Sequence, residues 1–365
     1  MKKIIHRIFL IINAGFALAL LISYLAININ PNTFALPAFF GLAYPYLLLV
    51  NVIIAIIWAV NLKYEALISV VFILLGLTHF SNYIKFRRPG DDRENTFKVI
   101  SYNVHVFSYL GENKRPDTKG RILSVLKEQQ PGILCLQEFS TDGDFNIIDH
   151  EIKDALGGRC YSYAKLFKSR RSRQFGIVTY SKFPIINKGE IVFENSSSLS
   201  IYADIIIDRD TFRIFNSHLQ SFGLKSMEGS FMEELMDPRD KQTIDELKSL
   251  YARLREGFKR RALQARIVKD HINNSPYTVI VAGDFNDTPV SYSYRRIRKG
   301  LKDSFVESGS GAGFTYRGNY PPNRIDYILY GNRLECPSFE ILRVKFSDHY
   351  PIIAWLRKRP KKEAS

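Results

Sequence analysis

A chain of 365 residues has room for one large domain or two ordinary ones, so it can bury a core without disulfide staples or a partner. Charged residues at 24% and hydrophobic ones at 46% exclude disorder as the dominant state, while the mean hydropathy of −0.11 averages two unlike parts. No Asp, Glu, Lys or Arg stands between Arg7 and Lys63, which argues against a freely soluble protein.

A bilayer core takes about 20 mostly apolar residues per helix, because no water is present there to satisfy free backbone groups. Three stretches have that length: Ile8 to Ala26, Leu36 to Val60, and the weaker Tyr64 to Ile84 with Glu65 near its start. Residues 1–90 are therefore expected to be a membrane anchor of two or three transmembrane helices, with the lipid bilayer as partner. A signal peptide is the competing reading of the first stretch, but no clear small-x-small cleavage site follows it. Lys2, Lys3 and Arg7 favour a cytoplasmic N-terminus, and three spans then place the body on the non-cytoplasmic side of an inner or plasma membrane. Lys85, Arg87 and Arg88 pull the other way. The lack of ionisable groups at depth makes the head an anchor rather than a transporter.

From about Asp91 the pattern changes to β-rich runs with polar turns and a few helical stretches. Strands are expected at 97–104, 132–137, 175–181, 199–207, 212–219, 278–285, 324–330, 338–346 and 350–356. Helices are expected at Thr118 to Gln129, Asn146 to Leu156 and Pro238 to Asn273. Together they describe one α/β or α+β domain over residues 91–365, its sheets covered by helices. GLKSMEGSF (223–231) reads as part of an insertion near a substrate mouth or as solvated chain. The basic tail RKRPKK (357–362) is either a soluble end or an attraction to anionic headgroups. Cys135, Cys160 and Cys336 are an odd number at unrelated spacings and require no disulfide.

The first 90 residues carry seven Lys or Arg and one acid, leaving 44 basic against 35 acidic residues in the body. That net charge of +9 suits a phosphate-bearing polyanion.

The polar residues at the ends of the apolar runs carry the chemistry. Asn103 ends KVISYN, Glu138 follows ILCLQ, and His218 closes FRIFNSH; Asp284 and Asn286 follow VIVAG, Asp326 sits in RIDYILY, and Asp348 with His349 precede YPIIAW. One acid at a strand end is usually a turn or a cap. Six runs that each deliver a carboxylate, an amide or an imidazole point instead to one rim where a rigid sheet hands the chain to loops. Mg²⁺ takes oxygen ligands and keeps several waters, so Glu138 and Asn103 suffice as its protein ligands. Gly283 leaves room for close backbone approach, Asp284 and Asn286 can hold and deprotonate a water, and Asp326 can fix the tautomer of a histidine. No nucleophilic Ser or Cys sits beside a base, and no thiolate spacing for zinc is present, so metal-assisted attack of water on phosphorus is the reaction these parts can perform.

SYNV, LQE, NSHL, GDFN, IDYI and SDHYP, in that order, resemble the endonuclease/exonuclease/phosphatase superfamily. DNase I, the exonuclease III type repair enzymes, neutral sphingomyelinases and inositol polyphosphate 5-phosphatases belong to it. The resemblance runs from about Phe97 to Leu356. It implies a four-layer DNase I-like sandwich, two mixed β-sheets with helices outside, here preceded by the transmembrane helices. It also implies Mg²⁺, with Mn²⁺ as the alternative, at Asn103 and Glu138, and His218 and Asn286 on the scissile phosphate. Asp284 would orient or deprotonate the attacking water, Asp326 would orient a histidine, and Asp348 would support the metal or His349. His349 would be a general base or a transition-state stabiliser. In the repair-enzyme branch an acid usually stands two places after the Asn, where this chain has His105, which weakens the likeness to abasic-site enzymes. Tyr161 or Tyr163 is a candidate for the family's active-site Tyr.

The expected function is a membrane-anchored, metal-dependent phosphoesterase acting on phosphodiester bonds in the manner of a nuclease, on nucleic acid or a phospholipid headgroup. The alternatives are a phospholipid or inositol-phosphate phosphodiesterase or phosphatase, and a catalytically inactive membrane scaffold. No protein partner is expected.

Overall fold

The computed structural model describes residues 1–88, 90–107, 117–168, 173–194, 196, 198–222, 241–318 and 322–359. The stretch 223–231, the expected helix start at Pro238 and positions 360–362 of the basic tail lie outside the described residues. The chain divides into two compact units. One joins Met1–Tyr83, Ser221–Ala265 and Asp287–Arg296, and the other joins Ile84–Gln220, Arg266–Asn286 and Ile297–Ser365.

In the first unit, Lys2–Leu25 is an apolar helix, and among the described residues it is the one helix that by itself has the length and composition to cross a membrane. The other two expected spans differ from that form. The second stretch is broken into Leu36–Leu42 and Tyr44–Val60, bent by 68°. Pro45 lies at the start of the second piece, where its ring and its missing N–H prevent the first piece from continuing. The third stretch forms only Ala66–Leu75, whose ten residues rise about 15 Å, roughly half a bilayer core. It stops at Gly76, a residue of low helix propensity against which the Tyr24 ring packs closely, and the Tyr24 hydroxyl donates to the Phe72 carbonyl at 2.9 Å. Glu65 is buried against His6, Nε2 to Oε1 2.9 Å, while the Asn13 amide donates to the Glu65 carbonyl at 3.1 Å. Phe39 stacks on Tyr251 and meets Phe258 edge-on, with centroids 5.0 and 5.1 Å apart, so the head packs on the first part of the long helix Lys241–Asn273.

The second unit is built on strands. In chain order they are β1 (Ile84–Lys85), β2 (Phe97–Asn103), β3 (Ile133–Asp142), β4 (Tyr161–Lys168), β5 (Arg173–Ser181), β6 (Ile185–Ile191), β7 (Leu199–Ile207), β8 (Asp210–His218), β9 (Thr278–Asp284), β10 (Lys302–Asp303), β11 (Gly311–Ala312), β12 (Asp326–Tyr330), β13 (Leu334–Ile341) and β14 (Ile352–Lys358). One six-stranded sheet has the order β13-β14-β2-β3-β5-β4 and the other β10-β12-β9-β8-β7-β6, while β1 pairs with β11. Each large sheet is mixed: β2 runs parallel to β3 and β8 parallel to β9, with the remaining pairs antiparallel.

The inner faces meet in one core, where Val99, Ile133, Cys135 and Ala354 of the first sheet pack on Ile205, Ile214, Ile280 and Ile328 of the second. The outer face of the first sheet packs on helices Thr118–Gln129 and Phe145–Ala155 through Ile122, Leu126, Ile148 and Ile152. Central strands buried on both faces explain the nearly unbroken apolar runs in the sequence. The result is the expected DNase I-like sandwich of two mixed sheets flanked by helices. All three cysteines are free thiols, two of them buried.

Candidate active site

The strand register brings the candidate residues together. Asp284, the last residue of β9, lies opposite His218, the last of β8, and opposite Asp326, the first of β12. Three neighbouring strands thus place an imidazole and two carboxylates side by side at one end of a sheet. In the other sheet Asn103 ends β2 opposite Gln137, and the next residue, Glu138, falls at a register irregularity between Leu136 and Phe139 with φ +47°. A bulge of this kind re-aims a side chain beside an active site. Gly283 is required where it stands: a Cβ there would lie 1.9 Å from the Ser217 carbonyl oxygen, and its φ is +146°.

Asp284 is the hub. Its Oδ2 accepts the Asn103 amide at 3.0 Å and lies 3.7 Å from His349 Nε2 and 3.8 Å from His218 Nε2. Its Oδ1 accepts the Asn286 backbone N–H at 2.8 Å. The other face of His349 is fixed by Asp326, whose carboxylate oxygens are 2.9 and 3.1 Å from Nδ1. Asn103 also donates to Glu138 Oε1 at 3.3 Å. His218 Nε2 is 3.7 Å from the same oxygen and, among the described residues, has no hydrogen-bond partner. Asp348 Oδ1 lies 3.4 Å from His105 Nδ1 and accepts the Ser347 hydroxyl at 3.2 Å.

All eight sequence-selected residues therefore lie in one cluster. The Asn286 side chain is held by the Leu219 carbonyl, to which its amide donates at 3.0 Å.

Burial pushes the Asp284 carboxyl up to about 6, Asp326 adds to that rise, and His349, His218 and the Asn286 N–H oppose it. For His349, burial pulls the imidazole down, but Asp326 and Asp284 outweigh it and raise it to about 10. The hub is thus a carboxylate poised near neutrality beside a cationic imidazole.

A divalent cation fits the Glu138 side of this cluster. Asp284, Asp326 and His349 present ligand atoms within 4.8 Å of one another, but Asp326 is already engaged at hydrogen-bond distance with Nδ1 of His349. Glu138 is the solvent-reachable carboxylate, with 19% of its side chain exposed against 1% for Asp284 and Asp326 and 3% for Asp348. The oxygens of Glu138 and Asp348 are donors of the hard kind that Mg²⁺ or Mn²⁺ takes, while Asn103, the other expected ligand, turns its NH2 group toward Glu138 and its oxygen to the His105 N–H.

Of the two candidate tyrosines, register sets Tyr161 far from the cluster. Tyr161 pairs with Ser181, which pairs with Ile133 at the start of β3, whereas Glu138 lies five residues further along that strand, about 17 Å at 3.3 Å per residue. Tyr163 lies further along, opposite Thr179, and packs on Ile177, Ile201 and Leu199, the last of which is the cross-strand partner of His218.

Several supporting residues escaped the sequence reading. Gln137 donates to Asn216 Oδ1 at 2.8 Å, and Asn216 donates to the Val178 carbonyl at 3.0 Å, an amide bridge between the sheets beneath the site. Ser347 ties its loop to the Asn103 carbonyl at 2.8 Å, and Thr315 Oγ1 accepts the Asp326 N–H at 3.1 Å. The available signal was a polar residue at an inward strand position, as in LQE and FNSH.

Residues 100–349 match the model of the Endonuclease/Exonuclease/phosphatase family, and residues 6–83 match a domain of unknown function, DUF8431. No curated protein matches the chain in sequence. Solved structures share the fold at low identity. An endonuclease/exonuclease/phosphatase family protein from Leptotrichia buccalis has 14% identity and a TM-score of 0.51 over 71% of this chain and 98% of its own. A Beutenbergia cavernae endonuclease/exonuclease/phosphatase has 18% identity and a TM-score of 0.52 over 73% and 72%. The human Nocturnin catalytic domain, solved with a bound sulfate anion, has 17% identity and a TM-score of 0.52 over 73% and 95%. The family match spans most of the chain and coincides with the sandwich and its polar rim, so the chain belongs to the endonuclease/exonuclease/phosphatase family of phosphoester hydrolases.

Proposed function

We propose that the chain is a membrane-anchored, divalent-metal-dependent phosphodiesterase of nuclease type, with residues 1–90 as anchor and 91–365 as catalytic domain. The observation that carries this reading is the chain of contacts from Asp326 through His349 to Asp284 and on through Asn103 to Glu138. It joins an oriented imidazole, a buried carboxylate and a solvent-reachable carboxylate across the two sheets.

In this reading the scissile phosphate lies against His218 and His349, and Nε2 of His218, which has no hydrogen-bond partner among the described residues, is satisfied by a phosphate oxygen. Asp284, held by Asn103 and the Asn286 N–H, orients the attacking water and takes its proton as the new P–O bond forms. Asp326 keeps the proton of His349 on Nδ1 and stabilises its positive charge, so that Nε2–H can donate to the phosphoryl oxygen or to the departing alkoxide as the ester bond breaks. Glu138 and Asp348 would hold a divalent ion, with Asn103 positioning Glu138, and the ion would supply Lewis-acid polarisation of the phosphoryl group.

The net positive body favours a nucleic-acid backbone, whose binding weakens steeply with added salt. The apolar helix Lys2–Leu25 favours the second reading, a phospholipid headgroup brought to the site by the anchor. The test is cleavage of plasmid DNA, RNA and phospholipid side by side by the purified full-length chain, with EDTA and Asp284→Ala as controls. EDTA-sensitive cleavage of nucleic acid alone supports the first reading, salt-insensitive cleavage of lipid alone supports the second, and no cleavage of any substrate favours the inactive scaffold.

A further inference from the structure

His105 belongs to the same cluster but has no role in the account above. Its Nδ1 lies 3.4 Å from Glu138 Oε2 and 3.4 Å from Asp348 Oδ1. Those separations exceed the roughly 2.7–3.2 Å of a direct N–H···O hydrogen bond. They come close to the spacing of adjacent ligands on one octahedral ion, which is about 3 Å when each bond is about 2.1 Å.

The backbone holds the ring there. His105, Val106 and Phe107 have φ of +44°, +50° and +55°, a left-handed turn of three non-glycine residues that includes a β-branched one. Two contacts fix this turn: Asn103 Oδ1 accepts the His105 N–H at 3.0 Å, and the Phe107 ring meets Phe139, the residue after Glu138, edge-on at 5.5 Å. An outlier of this kind beside a polar cluster points to function.

We infer that His105 supplies a nitrogen ligand to the divalent ion held by Glu138, and that this ligand makes the site prefer Mn²⁺ or another first-row transition ion to Mg²⁺. The inference rests on the reading of Glu138 as a metal ligand. An imidazole adds affinity along the first-row series, whereas Mg²⁺ takes oxygen ligands and gains little from nitrogen.

The experiment is Mn²⁺ binding to the purified full-length chain, followed by pulsed EPR of the bound ion, with Mg²⁺ affinity measured by competition. The wild type is expected to show nitrogen hyperfine coupling that persists in His218→Ala and disappears in His105→Ala, with Mn²⁺ affinity roughly 10-fold or more lower in the latter. His105→Asp replaces nitrogen with oxygen and is expected to bind Mn²⁺ without that coupling and to lower the ratio of Mn²⁺ to Mg²⁺ affinity. Its unfolding temperature in EDTA checks that the turn has formed. Coupling that survives in both His105 variants, or Mn²⁺ binding that is unchanged or tighter in His105→Ala, overturns the inference and leaves Glu138 as a ligand. No Mn²⁺ bound by the wild type overturns the inference and the metal reading together.

Discussion

Asp326 holds Nδ1 of His349 at 2.9 Å, and the opposite nitrogen of that ring faces Asp284 at 3.7 Å. Two carboxylates on adjacent strands therefore bracket one imidazole, one fixing its proton and the other sharing its charge. Asp326→Asn keeps the shape but removes the charge that stabilises the imidazolium. Turnover is expected to fall by roughly 10²-fold with little change in KM, the signature of a group acting in the transition state. Steady-state kinetics on whichever substrate the side-by-side cleavage test identifies check this, and unchanged turnover removes Asp326 from the mechanism.

Glu138→Gln replaces the solvent-reachable carboxylate with a neutral group of the same shape. The metal concentration for half-maximal activity should rise, with much of the rate recovered at saturation. A titration of activity against metal concentration decides it, and an unchanged midpoint would take Glu138 out of the metal site.

The metal-free protein should respond to pH through Asp284 and His349. The Asp284 carboxyl is raised from an ordinary 3.8 to about 6, so the stability it contributes is complete below 3.8 and lost as pH rises through about 6. His349 is raised from 6.5 to about 10, so its contribution is complete below 6.5 and lost as pH rises through about 10. In EDTA the unfolding temperature should therefore fall between pH 6.5 and 10, and His349→Asn should flatten that part of the profile. A wild-type profile that is flat or rises there contradicts the assignment.

Gly283→Ala drives a methyl group into the Ser217 carbonyl, 1.9 Å away, at a φ of +146°. Parallel strands β8 and β9 must then separate beside His218 and Asp284. A loss of about 2 kcal/mol or more in folding stability is expected, together with lower turnover, both measurable on the purified chain by denaturant unfolding and kinetics. Wild-type stability would mean that the strands approach less closely than described.

All nine strands expected from apolar runs have a counterpart, eight of them central strands; the ninth, β13, is an edge strand shifted to Leu334–Ile341 from the expected 338–346. The two longer strands that the sequence hid are β4, YSYAKLFK, and β6, IINKGEI, each at one edge of its sheet. These edge strands carry charge and lack the continuous apolar pattern, so periodicity does not reveal them. The site residues were legible because each is the polar end of an apolar strand. Their supports were not: Gln137 and Asn216 meet only after the sheets stack, and His105 meets Asp348 only through a loop more than 240 positions away. The breaks in the second and third apolar stretches were hidden for a related reason. Hydropathy counts apolar residues but does not register that Pro45 and Gly76 stand where the helices break.

Water attack on phosphorus, with Asp284 holding the water, is the central claim. The most direct measurement is a single-turnover hydrolysis by the full-length chain in oxygen-labelled water, run beside Asp284→Ala and analysed by mass spectrometry. The account predicts one labelled oxygen in the phosphate product and almost no hydrolysis in the variant. Label in the alcohol product, or a variant that turns over as fast as the wild type, would contradict it.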